Sequence, residues 1–156
     1  MTDRPIPADF ELTETTVAAV HAAFEETTLT AAGLVEAFLD RIERHDDALN
    51  AVLTTNEAAM DRARELDARF ASDGLTGPLH GIPVAIKDNH DTADMPTTAG
   101  SVWFAEFVPE SDAAVVERLR EAGAVVVAKT NLQELSFGVD SVSSLGGETH
   151  NPYALD

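Results

Sequence analysis

Two spacings of apolar residues divide the chain into a helical first part and a second part that alternates strand with helix. From Glu14 to Phe24, Val17, Val20 and Phe24 recur at helical intervals before the polar turn EETTLT. Thr30 is placed to cap a second helix, in which Leu34, Phe38, Ile42 and His45 return every three or four residues. LNAVLTT, Leu49 to Thr55, reads as a short strand, and Asn56 is placed to cap a third helix that runs to about Phe70. SDGLTGP reads as a loop, and neither a repeat nor a low-complexity linker divides the chain.

Past Gly77 the pattern changes. IPVAIKD is a continuous apolar run of strand length, followed by a polar connection through TADMPTTAGS. Ser111 is placed to cap the helix DAAVVERLREA, which Gly123 ends, and AVVVAKTN then reads as a second apolar strand. Unbroken rather than alternating apolarity predicts strands covered on both faces, as in a parallel sheet. Strand, helix, strand in that order predicts a right-handed βαβ crossover. Lys87 and Lys129, the only two lysines, each follow one of these runs. They are thereby placed at the carboxyl ends of parallel strands, where open α/β sheets build their sites.

Charge narrows the range of partners. The 156 residues carry 28 acids against 10 bases, a net −18, which repels phosphate backbones and excludes a basic nucleic-acid patch. The acids are spread along helical segments such as NEAAMDRARELDARFASD, and eight arginines accompany only two lysines; this predicts adaptation to high salt, where screening removes the self-repulsion. No run approaches a membrane span, and the acidic start MTDRPIPADFELTET has no hydrophobic signal core, so a cytoplasmic location without membrane contact is expected. With no cysteine there is no disulfide, thiolate metal site or cysteine nucleophile.

Most catalytic motifs are missing. G-x-G-x-x-G, G-x-x-x-x-G-K-[ST], H-E-x-x-H and G-x-S-x-G do not occur. DNHDTAD, Asp88 to Asp94, lacks the glycine and the distal glutamate of a calcium loop and reads as a polar loop leaving a strand. The five histidines, His21, His45, His80, His90 and His150, form no pair at ligand spacing. Lys87 has two readings from the residues alone. Desolvated behind an apolar strand it loses affinity for its proton and can act as a general base; alternatively its stem packs on the sheet while the ammonium reaches water.

GPLHGIPVAIKDNHDTADMPTTAGS, SDAAVVERLREAGAVVVAKTNLQELSFGV and GGETHNPYALD, in that order and spacing, resemble the amidase signature family, with the likeness running from about Thr13 to the last residue. The resemblance implies an α/β/α sandwich with a mixed, largely parallel sheet. Residues 1–156 would be the N-terminal part of one such domain: a helical segment over about 13–72, then the start of an α/β core over about 77–156. It implies a serine hydrolase of carboxamides that uses a Ser, cis-Ser and Lys triad and no cofactor. The triad lysine falls on Lys87. Asp88, Lys129 and Asn131 are supporting positions: Asp88 to orient the loop beside Lys87, Lys129 in the framework, and Asn131, with Glu134, to open a short helix. Ser143 and Ser144 carry no mark of an activated nucleophile.

Within that family the cis-serine, the nucleophile and the oxyanion amides come after the NPYALD position, and a histidine stands at His150 where relatives commonly carry arginine. The 156 residues on their own are therefore expected not to hydrolyse amides. They read as the first third or so of an amidase that acts on a small-molecule amide. The alternative is a non-catalytic module, or one half of a split amidase. An uncovered apolar sheet would then lead to self-association or to a C-terminal partner chain. KTNLQELSFGVDS is more like the general amidases than like the amidotransferase subunit of the same family.

Overall fold

Threonine hydroxyls start the first two helices. In the computed structural model, which describes residue 6 and residues 10–155, Thr16 accepts from Ala19 N to begin α1 (Val17–Glu25), and Thr30 accepts from Gly33 N to begin α2 (Ala31–Leu49). α1 opens later than Glu14 because that residue sits in a turn at positive φ. Most of the acidic stretch before Thr13 lies outside the described residues.

The chain continues through β1 (Val52–Thr55), α3 (Ala59–Asp73), β2 (Pro83–Lys87), α4 (Ala114–Glu121) and β3 (Val125–Thr130). A two-stranded hairpin follows, β4 (Val142–Ser143) with β5 (Gly147–Glu148). Two of the expected caps are corrected. Asn56 does not cap α3: its backbone N–H goes to Val127 O, its amide donates to Val126 O, and its oxygen accepts from Ala58 N in a turn before the helix. Ser111 does not cap α4, whose cap position is Ala113, with no side-chain bond. The neighbouring Asp112 instead accepts from Ala93 N and pairs with Arg120, which holds the approach to the helix extended.

β3 is the centre of a three-stranded sheet in the order β1-β3-β2. It runs parallel to β2, through the crossover helix α4, and antiparallel to β1, so the sheet is mixed. One face of β3 puts Val125 and Val127 against Phe24, Leu34 and Leu66 of the first three helices. The other puts Val126 against Ile86, Met95 and Val116. Each such valine contributes on the order of 1.5–3 kcal/mol on burial. β2, by contrast, is an edge strand and only partly covered.

Gly123 ends α4 as expected, and here the residue type is required: φ is +94° and a Cβ would lie 2.8 Å from His80 Cα. The segment around His80 is strapped to this turn by Leu79 N to Ala122 O and Gly81 N to Gly123 O. The His80 ring is buried between Phe24 and Phe70, with centroids 6.5 and 5.9 Å away, and Nδ1 lies 2.9 Å from Thr76 Oγ1. Nε2 has no partner among the described residues.

Burial pushes His80 below the ordinary imidazole range, and the nearby His21 adds to the effect. The folded state therefore resists protonation that the unfolded chain accepts. Stability from this site is complete above the unfolded value and declines as pH falls below it. Urea unfolding at pH of about 7.5 and about 5.5 is expected to show a larger loss of midpoint on acidification in the wild type than in His80→Gln.

Candidate functional site

The site lies where β2 and β3 end side by side. Register pairs Ile86 with Lys129 and Lys87 with Thr130, and Asp88 N continues the ladder to Thr130 O. Neighbours in an extended strand point to opposite faces. The burial follows that rule: Ile86 is buried, Lys87 exposed and Asp88 buried.

Of the two readings of Lys87, the structure has the one in which the ammonium reaches water, and the buried lysine is the framework position Lys129. Lys87 is not desolvated: it closes an edge strand, and its ammonium has no hydrogen bond or ion pair among the described residues. Lys129, at 0% exposure, is the buried one, because β3 is covered on both faces. Its Nζ lies 2.9 Å from Asp88 Oδ1. It donates to Thr97 Oγ1 at 2.8 Å, Pro96 O at 2.9 Å and Thr92 Oγ1 at 3.2 Å. Those three acceptors use the three ammonium hydrogens. Asp88 Oδ1 receives no aligned hydrogen bond, so charge holds that contact.

Asp88 is tied to the following loop through Thr98 and to Lys129, and not to Lys87. Its Oδ2 accepts from the Thr98 backbone N–H and from the Thr98 hydroxyl, and its carbonyl accepts from Ala99 N. Residues 91–101 are thus folded back over the end of the sheet with Thr92, Met95, Thr97, Thr98 and Ser101 buried. The sequence pattern does not single out the three cage threonines. The signal it does offer is TADMPTT itself, a run of short hydroxyl donors and acceptors directly after a strand-end acid.

Asn131 does not open a helix. The turn Glu134–Ser136 has no side-chain cap bond at Gln133. Asn131 instead joins segments: Nδ2 donates to Thr149 Oγ1 and Gly147 O, Oδ1 accepts from Ser143 Oγ, and the backbone N–H goes to Ala51 O. Leu135 and Ser136 both hold positive φ in a turn secured by Leu135 N to Ala99 O and Asn89 Nδ2 to Ser136 Oγ. Glu134 accepts from Ser144 N, and the hydroxyls of Ser144 and Ser101 hold its carboxyl below the usual range. Ser143 is buried and committed to Asn131 and Gly146 N, while Ser144 Oγ accepts from Val102 N. His150 is exposed, with its backbone N–H on Leu49 O. Among the described residues no group of three or more His, Asp or Glu side chains is arranged to hold a metal, and no helix is long and apolar enough to cross a membrane.

A family model described as Amidase matches residues 33–156. The chain belongs to the Amidase family. It is 44% identical over 127 residues to a glutamyl-tRNA(Gln) amidotransferase subunit from Salinispora tropica, a match covering 81% of this chain and 26% of that protein. It is 40% identical over 148 residues to Amidase FG08078 of Gibberella zeae, covering 94% and 27%. The native peptide amidase of Stenotrophomonas maltophilia superposes with a TM-score of 0.87 at 41% identity, over 92% of this chain and 31% of that one. The chain thus spans between a quarter and a third of the length of these relatives. Amidase FG08078 and the peptide amidase stand among these relatives beside amidotransferase subunits, and the solved structures carry the amidase signature fold expected from the sequence.

Removing Lys129 alone strands the buried Asp88 carboxylate. Lys129→Met is expected to lower unfolding free energy by about 3–5 kcal/mol, and the double variant Asp88→Asn/Lys129→Met by less, because both charges then leave together. Chemical denaturation of the three proteins measures the difference.

Proposed function

We propose that this chain supplies the lysine-bearing part of an amidase site, as the N-terminal portion of one amidase signature domain. Residues of about 13–72 serve as helical support and residues of about 77–156 as the start of the α/β core. The observation that carries the reading is Lys87: an exposed ammonium, without a partner among the described residues, at the carboxyl end of β2 and in the family's lysine block. Lys87 is the general base of a Ser, cis-Ser and Lys triad, with both serines supplied from outside these residues. Neutral Lys87 takes a proton from the relay serine, which takes one from the nucleophilic serine as that oxygen attacks a carboxamide carbonyl. Return of that proton from Lys87 through the relay serine to the leaving nitrogen lets collapse expel the amine or ammonia and leaves an acyl-enzyme, which water cleaves to the acid.

The open side of β2 suits this division of labour. A serine-bearing segment laid over Lys87 brings the nucleophile and also removes the water that keeps the ammonium charged. Hydrolysis of a simple primary carboxamide is expected from the complete protein, lost by about 10³-fold or more in Lys87→Ala. The 156-residue polypeptide alone is expected to show none. Turnover by that polypeptide that depends on Lys87, or full activity in the complete Lys87→Ala protein, would count against the triad.

The surface suits concentrated salt. A net −18 is a self-repelling field that shortens to a few ångströms as ionic strength rises. Raising KCl from about 0.1 M to about 2 M is expected to raise the thermal midpoint.

A further inference from the structure

Lys129 is a titratable group that the proposed triad does not use. Asp88 is the only buried acid and Lys129 the only buried lysine or arginine among the described residues. Asp88 also adjoins Lys87 in the chain. A carboxylate beside a lysine favours the charged ammonium, the wrong state for a base. A second ammonium 2.9 Å from that carboxylate cancels most of its field.

We infer that Lys129 is a positioning and charge-compensating residue for Lys87. It neutralises Asp88 and fixes it on the opposite side of the strand, so that Lys87 can give up its proton where the site works. This rests on the reading of Lys87 as the base. The arrangement is specific in its geometry. Strand alternation turns Lys87 outward and Asp88 inward, Thr98 holds the second carboxylate oxygen, and Thr92, Pro96 and Thr97 hold the ammonium. Other charges on the adjoining elements are exposed or engaged. His90 and Asp91 face solvent, Asp94 and Asp112 pair with Arg120, and Glu134 accepts from Ser144 N. Asp88 is left as the one buried charge next to Lys87, and Lys129 answers it.

In the complete protein labelled with carbon-13 at lysine Cε, the NMR signal lost in Lys87→Arg is that of Lys87 and the one lost in Lys129→Gln that of Lys129, so Lys87 can be titrated directly. Lys129→Gln, which keeps an amide for Pro96 and Thr97, and Lys129→Met each leave Asp88 uncompensated. Both should raise the pH at which Lys87 titrates by on the order of half a unit. Asp88→Asn/Lys129→Met should return it to the wild-type position. Should neither Lys129 variant fold, Asp88→Asn is read while the Lys129 signal still reports an ammonium; Lys87 must then titrate at lower pH than in the double variant. An unmoved Lys87 titration in the folded variants, or a shift of opposite sign, overturns the inference. The readout involves no catalysis, so a complete Lys87→Ala protein that stayed active would refute the triad and leave this result standing.

Discussion

The second half of the chain depends on one buried ion pair. Two ions taken out of water cost several kcal/mol each unless every remaining proton and lone pair is met. Lys129 and Asp88 meet most of that demand by recruiting three threonines and a proline carbonyl from the segment between β2 and α4, and Asp88 Oδ1 is left to the charge of the ammonium. The pair therefore organises its surroundings: the end of β2, the end of β3 and the loop over them share one set of contacts. The ion pairs on α3, such as Arg62–Glu65 and Arg69–Glu65, are half exposed and have no comparable reach.

What is legible in the sequence follows from which signals are local. Thr30 and Gly123 act where they stand, through a hydroxyl on a nearby N–H and a left-handed φ, and both can be read from the chain. Asn56 and Ser111 satisfy the same local rule, yet tertiary bonds outcompete it: Asn56 is taken by β3, and Asp112 beside Ser111 is taken by Ala93 and Arg120. The two lysines show the limit most sharply. IPVAI and AVVVA look alike as apolar runs, but one becomes an edge strand and the other a central one. That depends on strand order, which no single run encodes.

Asn131 makes a related point. Its position after a strand suggests a helix start, and an isolated asparagine offers no sign of how far its amide will reach. In the fold it joins β3, the β4–β5 hairpin and the segment after α2, while Asn50, in a left-handed conformation, binds the hairpin from the other side. These contacts link segments far apart in the chain and are visible only once it has folded.

The loop of residues 91–101 has almost no regular structure, yet it is not a loop in the sense that matters for change. Surface connections normally absorb insertions and deletions because their backbone bonds go to water. Here the backbone and side chains form the wall of a charge cage, so one added residue would pull hydroxyls off Lys129. The tip at Asp73 and Gly74 is the opposite case, with Asp73 exposed and open space where a side chain at Gly74 would stand. Length variation in this domain should therefore collect after α3 and be scarce after β2, although by secondary structure alone both segments would be labelled the same.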